Sequence, residues 1–105
     1  MAREQERVSF FVEVVLESAS GKREARISDL SLGGCFIDSI ALMTEGESVA
    51  FELLREGGQL VRFTGRVTYV LPGVGFGVRF TNISEDQQAF LEQVVGVPAD
   101  SGTLA

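Results

Sequence analysis

The 105-residue sequence contains no histidine and a single cysteine, Cys35. One thiol cannot form a disulfide within the chain, which fits a reducing compartment. Because histidine is missing, a zinc site of the His/Cys type and a catalytic triad with an imidazole base are both excluded. We therefore expect a protein that is not an enzyme and that holds neither a metal nor a cofactor. Cys35 itself we expect to be a small buried residue.

Positive charge is scarce. Nine basic residues stand against 15 acidic ones, so the formal net charge is -6. A long polyanion such as DNA or RNA is repelled overall by such a chain, and we expect no nucleic-acid partner. A small anion can still bind where a few cations gather. Four of the nine cations lie before residue 24: Arg3, Arg7, Lys22 and Arg23.

Long apolar runs are also missing. No segment reaches the roughly 18 apolar residues of a membrane span. The charged residues 1–7 are not followed by an apolar stretch of the signal-peptide type. We therefore expect a cytoplasmic protein without membrane insertion.

Short apolar stretches, in contrast, are plentiful, and 45% of the residues are apolar, eight of them phenylalanine. This length and composition predict one folded domain. Apolar and polar residues alternate with the period of two that is typical of β-strands. The pattern places Tyr69 on the same face as Val61, Phe63 and Val67. It places Phe11 and Val15 on the second face of the first strand, which we therefore expect to be only partly exposed. It predicts six short antiparallel strands, in residues 8–16, 24–28, 35–38, 48–54, 60–70 and 74–80.

The period changes towards the C-terminus. Ser84 and Gln87 have the spacing of a capping box, which predicts a helix. The apolar residues that follow share one helical face: Phe90, Leu91, Val94 and Val95. We expect this helix to cap the barrel or to lie along its wall. The predicted organisation is a flexible arm in residues 1–7, a domain in residues 8–96 and a loose tail in residues 97–105.

Two arginines four residues apart, Arg3 and Arg7, precede the first strand. Their planar guanidinium groups can point the same way if the arm coils. Such forks suit a ligand with both phosphates and flat purines, because guanidinium can bond phosphate and the guanine Hoogsteen edge and can also stack. The simpler interpretation is an ordinary solvated N-terminal tail.

A second candidate segment, Asp29–Gly34, lies between two strands. Asp29 and Ser31 are two apart and project to the same face of an extended segment. The carboxylate can accept from the N1–H and amino groups of guanine, and the hydroxyl can donate or accept. Gly33 and Gly34 let the backbone approach a ligand closely. The simpler interpretation is a tight turn made of the usual turn residues.

The glycines of the last strand favour a structural interpretation. Gly73, Gly75 and Gly77 are spaced as in some phosphate loops, but the lysine and Ser/Thr of that motif are absent and no helix follows at once. We expect Gly75 and Gly77 to allow close packing or a bend.

The two candidate segments together resemble the PilZ family. The arm has the spacing RxxxR, and Asp29, Ser31 and Gly34 have the spacing DxSxxG at the end of the second strand. The resemblance continues to about residue 95 and includes Gly65-Arg66-Val67, Gly75-Phe76-Gly77-Val78-Arg79-Phe80 and the closing helix. It implies a six-stranded antiparallel split β-barrel with a C-terminal α-helix, in agreement with the alternation.

The resemblance also implies cyclic di-GMP as the ligand. By motif position, Arg3 and Arg7 grip guanine and phosphate, and Asp29 and Ser31 hold the base edge. Gly34 gives room for the ligand, and Gly33 beside it belongs to the same ligand-binding segment. Some members carry a further arginine just before RxxxR and bind a stacked pair of ligands; here Ala2 occupies that position, which favours one ligand.

The function expected from this resemblance is that of a receptor or adaptor. Ligand binding changes the arm and the surface and so signals to a protein partner, which the resemblance places in motility, pilus, flagellar or exopolysaccharide machinery. The alternative is an interaction module with the same fold that binds a protein partner and no nucleotide.

Overall fold

The computed structural model describes residues 8–55 and 57–96. The predicted arm, residues 1–7, and the predicted tail, residues 97–105, lie outside the described residues, as does Glu56. All six predicted strands and the helix are confirmed. Their bounds are Val8–Ser18 (β1), Gly21–Leu30 (β2), Gly34–Asp38 (β3), Ser48–Leu54 (β4), Leu60–Leu71 (β5), Gly75–Thr81 (β6) and Glu85–Val95 (α1).

The strands form a closed antiparallel barrel in the order β1-β2-β3-β6-β5-β4. Most neighbours pair along their length; β4 and β5, for example, pair from Ser48–Arg66 to Leu54–Leu60. The seam between β1 and β4 is different, because within the described residues it is joined by one pair, Glu17 and Ala50. The barrel is therefore closed at one end of this seam and split along the rest.

The inner faces of the strands form the core that alternation predicts. Phe51, Phe63 and Phe80 pack together, with ring centroids of Phe63 and Phe80 5.1 Å apart and those of Phe51 and Phe63 5.9 Å apart. The helix adds Phe90, whose ring centroid lies 5.9 Å from that of Phe63. Each fully buried phenylalanine stabilises the fold by roughly 1.5–3 kcal/mol relative to an exposed one. Cys35 is buried in the same core, as expected.

The helix begins at the predicted capping box. The Ser84 hydroxyl accepts from the Gln87 amide N–H at 3.1 Å, and the Gln87 side chain accepts from the Ser84 N–H at 2.6 Å. Asp86 forms an ion pair of 2.9 Å with Arg55, just after β4. Phe90 and Leu91 are buried against the barrel. Because Phe10 of β1 and Leu54 of β4 border the same groove as Phe90, the helix lies beside the split part of the seam.

Two sequence expectations were wrong, one about the face on which Tyr69 lies and one about the exposure of Phe11. In β5 the register shifts between Val67, which pairs with Val78, and Tyr69, which pairs with Gly77. This β-bulge turns Tyr69 to the outer face, where it is 38% exposed. Phe11 is 66% exposed and thus more open than the alternation suggested, and its ring lies 5.4 Å from the Arg26 guanidinium carbon.

Candidate ligand-binding loop between β2 and β3

Asp29 lies at the end of β2, and a bulge decides which face it takes. Ile27 pairs with Ile37, but Asp29 pairs with Phe36, so Ser28 is an extra residue on β2. Strict alternation from the buried Ile27 would point Asp29 inward. The bulge reverses this: Leu30 is fully buried, and Asp29 shares the outer face with Phe36. The carboxylate is half-buried and accessible from outside the barrel.

Ser31 lies in the loop itself, and its side chain is buried, at 3% exposure. Its hydroxyl donates to the Gly34 carbonyl at 3.1 Å. It accepts from the Gly33 N–H at 3.3 Å and from the Gly34 N–H at 3.1 Å. A hydroxyl offers one hydrogen and two lone pairs, so all three are used within the loop. Ser31 therefore shapes the loop that presents Asp29.

The two glycines join this loop to β6. A Cβ on Gly34 would overlap the carbonyl oxygen of Val78, so only glycine permits β3 and β6 to approach this closely. The Phe80 N–H donates to the Gly33 carbonyl at 2.8 Å. The room that the sequence analysis assigned to Gly34 is thus occupied, at its Cβ position, by the neighbouring strand.

An aromatic strip extends from Asp29 across the outer face. Phe36 pairs with Gly77 of β6, which in turn pairs with Tyr69 of β5. The ring centroids of Phe36 and Tyr69 are 6.1 Å apart. Gly77 makes this arrangement fit, because a Cβ there would overlap the Tyr69 ring. Close packing was therefore the right expectation for Gly77, and also for Gly75, where a Cβ would overlap the Ile37 carbonyl oxygen.

Sequence reasoning did not find Phe36 and Tyr69 as site candidates. Phe36 was part of a short strand in which inner and outer faces are hard to assign, and Tyr69 was assigned to the wrong face. Gly77 could have pointed to this part of the outer face, since a glycine inside a strand often marks a bulge or a place where another group approaches closely.

Arg3 and Arg7 lie outside the described residues. The structure does describe where the chain that carries them enters the barrel: Val8 pairs with Leu30, and Ser9 pairs with Asp29. Both arginines precede Val8 by five residues or fewer, and five residues of extended chain span at most about 18 Å. The chain that carries the RxxxR segment therefore enters the barrel beside the Asp29–Gly34 loop.

An ion pair with shifted pKa values lies at the closed end of the seam. Arg62 donates to Glu17 at 2.8 Å and 3.2 Å. These hydrogen bonds lower the pKa of the Glu17 carboxyl and raise the pKa of Arg62.

Within residues 8–55 and 57–96, no three His, Cys, Asp or Glu side chains are grouped to hold a metal ion. In the same part of the chain, no helix has the length and apolar character to cross a membrane.

The closed six-stranded barrel, the helix beside its seam and the loop after β2 define a small β-barrel domain of the PilZ type. The PilZ domain family matches residues 2–96, and the chain belongs to this family. The predicted fold is thereby confirmed.

Solved structures agree on the fold. The PilZ domain of CeSA from a cellulose-synthesizing bacterium is 19% identical, with a TM-score of 0.66 over 86% of this chain and 94% of that one. The PilZ domain of YcgR from Escherichia coli, solved with c-di-GMP, is 20% identical, with a TM-score of 0.70 over 90% of this chain and 89% of that one. At such identities the likeness concerns the fold alone.

PlzA from Borreliella burgdorferi, solved in complex with c-di-GMP, is longer. It is 15% identical, with a TM-score of 0.71 over 90% of this chain, which spans 41% of that protein. No curated protein sequence is similar enough to the chain to count as a match.

Proposed function

We propose that the chain is a receptor for cyclic di-GMP that binds the dinucleotide without changing it chemically. The observation that supports this most directly is the position of Asp29. Its carboxylate lies on the outer face beside Phe36, opposite Ser9, in the strand that continues from the RxxxR arm. This position supports the proposal because an acid that can recognise guanine lies next to an aromatic side chain, beside the strand that follows the RxxxR arm.

Each group in this site has a role in binding. The Asp29 carboxylate accepts from the N1–H and the amino group of one guanine. Phe36 and Tyr69 provide a flat apolar surface for purine stacking, which contributes roughly 1–3 kcal/mol per base in single-strand nucleic-acid complexes. Arg3 and Arg7 bind phosphate and guanine from the β1 side. Ser31, Gly33 and Gly34 hold the loop in shape.

The proposal extends to signalling in the cytoplasm. Ligand binding orders the arm against the barrel, and a downstream protein of the motility, pilus, flagellar or exopolysaccharide machinery recognises the changed surface. Backbone NMR relaxation of residues 2–7 tests this step. We expect slower internal motion with cyclic di-GMP than without it; equal order in both states would leave a receptor without this switch.

A second candidate function is a module that binds protein and no nucleotide. The observation in its favour is an exposed apolar patch on the β3–β4 loop, where Ile40 is 83% and Leu42 91% exposed. Val74 and Leu71, also exposed, lie at the same end of the barrel, since the Ser39 N–H donates to the Val74 carbonyl at 3.1 Å. Such patches are typical of protein-interaction sites.

Isothermal titration with cyclic di-GMP, cyclic di-AMP and GTP decides between the two functions. We expect heat with cyclic di-GMP and little with cyclic di-AMP, because adenine lacks the two donors that Asp29 accepts from. The Asp29→Asn variant should lose this preference. Asp38→Asn is the matched control, since Asp38 lies on the neighbouring strand in an ion pair with Arg26 at 2.9 Å. No heat at hundreds of micromolar ligand would favour the protein-binding module.

A further inference from the structure

Two arginines lie side by side on the outer face, beyond the loop. Arg66 of β5 pairs directly with Arg79 of β6, and both side chains are exposed between buried neighbours. Arg79 also pairs with Gly34, and Arg66 with Ser48. A row of outer-face positions thus runs from the end of the DxSxxG segment to the two guanidinium groups.

Among the described residues, three other arginines have an acidic partner and this pair has none. Arg26 pairs with Asp38, Arg55 with Asp86 and Arg62 with Glu17, at 2.9, 2.9 and 2.8 Å. In the part of the chain that the structure describes, neither Arg66 nor Arg79 forms an ion pair.

Arg66 donates instead to the Gly46 carbonyl at 2.8 Å, a neutral acceptor. Like charges directly opposite each other in a sheet are destabilising. Arg66 and Arg79 occupy opposed positions in the sheet and neither is neutralised by an acid among the described residues, so both have charge left for an anion from outside the domain.

The surroundings of the pair suit a phosphate. One row further along the same strands, the hydroxyls of Thr64 and Thr81 lie 3.2 Å apart. Arg66 and both threonines border an open groove of about 660 Å³, together with Ser48, Asn82 and Glu17, whose carboxylate is paired with Arg62. Guanidinium forks with hydroxyl donors beside them are the groups that bind phosphate oxygens.

The distance from Asp29 is short enough for one ligand to reach both. Asp29, Phe36 and Gly77 form one cross-strand row, and Arg79 follows Gly77 by two residues. Two steps of about 4.8 Å between strands and two residues of about 3.3 Å along β6 put the Arg79 Cα about 12 Å from that of Asp29.

We infer that Arg79, supported by Arg66, binds one phosphate of the cyclic dinucleotide whose guanine is held at Asp29. The inference rests on the proposed function. Arg79 lies on β6, the neighbour of β3, and so on the side of the loop away from β1. A phosphate of a ligand whose guanine lies at Asp29 is thus bound from the β6 side of the loop.

Titration of cyclic di-GMP into four variants tests the inference. We expect Arg79→Gln to weaken binding about tenfold or more, as for the loss of a charge-assisted hydrogen bond. Arg66→Gln should weaken it less, because that guanidinium also serves Gly46. Arg79→Lys should fall in between, since it keeps the charge and loses the fork. Arg62→Gln is the matched control: it removes the same charge from the same face of β5 and should bind as the wild type does.

Thermal melting of the unliganded variants provides a readout that a structural role would not explain. Removing one of two opposed like charges should leave the melting temperature unchanged or raise it slightly, while the affinity falls. Affinity that falls together with stability in Arg79→Gln and in Arg79→Lys would assign Arg79 to the fold and overturn the inference.

The binding results distinguish the phosphate contact at Arg79 from the receptor function. If the wild type binds cyclic di-GMP and Arg79→Gln binds it no more weakly than Arg62→Gln does, the phosphate contact is overturned. The receptor function is then retained. An equal loss in both variants would indicate the overall charge of the domain and would also overturn the contact. Wild type that does not bind cyclic di-GMP overturns the proposed function and, with it, this inference.

Discussion

Asp29 stands directly opposite Phe36 on the outer face of the barrel because Ser28 is an extra residue in β2. Because of this bulge, Asp29 lies on the outer face, although strict alternation would place it on the inner one. Leu30, directly after Asp29, is fully buried. Bulges often re-aim a side chain beside a functional site. Here the bulge sets a carboxylate next to an aromatic ring, at the point where the chain bearing RxxxR joins the sheet.

Arg7→Ala should weaken cyclic di-GMP binding about tenfold or more and leave the free energy of unfolding nearly unchanged. A charge-assisted hydrogen bond contributes roughly 1.5–3 kcal/mol, and Arg7 precedes β1. Isothermal titration and urea unfolding measure the two quantities. Arg23→Ala, in the β1–β2 hairpin at the far end of the same strands, is the control. Wild-type affinity in both Arg3→Ala and Arg7→Ala would remove the arm from the site.

Ser31→Ala should lower stability and affinity together. The buried hydroxyl satisfies the N–H groups of Gly33 and Gly34, and leaving a buried donor without a partner costs roughly 1–3 kcal/mol. Ser20→Ala removes an exposed hydroxyl and is the control. If affinity drops while the urea midpoint stays at the wild-type value, Ser31 contacts the ligand directly and is not the positioning residue described here.

Gly34→Ala should be among the most destabilising single substitutions in the loop. Its Cβ would overlap the Val78 carbonyl, so β3 and β6 must separate, and over-packing of this kind typically costs about 1–3 kcal/mol. Hydrogen exchange at the amides of β3 and β6 should speed up first. A variant as stable as the wild type would mean that the two strands do not approach as closely as described.

The Glu17–Arg62 pair should contribute stability at neutral pH that is lost in acid. Hydrogen bonds from Arg62 lower the pKa of Glu17, so the folded state binds this proton less readily than the unfolded state. The contribution is therefore present above the ordinary glutamate pKa of about 4.3 and disappears as the pH falls below it through the lowered value.

Urea unfolding of wild type and Glu17→Gln at pH 7 and pH 3 checks this. The stability difference between the two proteins should be small, because both side chains are exposed to solvent, and should shrink at pH 3. Since Glu17 belongs to the residue pair that joins β1 to β4, exchange of the seam amides should respond most. A difference that is the same at both pH values would contradict the assignment.

The amino-acid sequence by itself determined the number and type of the elements. Period-two alternation produced six strands because one face of each strand must be apolar to be buried. Ser84 and Gln87 marked the start of the helix because an N-terminal turn needs partners for its amides. The candidate loop residues could also be named in advance, since their chemistry is a property of the side chains alone. The roles of Arg3 and Arg7 stay predictions.

The tertiary structure decided which side chains meet. Tyr69 and Asp29 take their faces from bulges, which depend on the register of the partner strand and interrupt the local period. Arg79 lies beside both Gly34 and Arg66 because β6 pairs with β3 and β5, strands far from each other in the sequence. Alternation says which residues of one strand share a face. The alignment of two strands is set by core packing and backbone hydrogen bonds over the whole barrel, so these neighbours exist only in the folded chain.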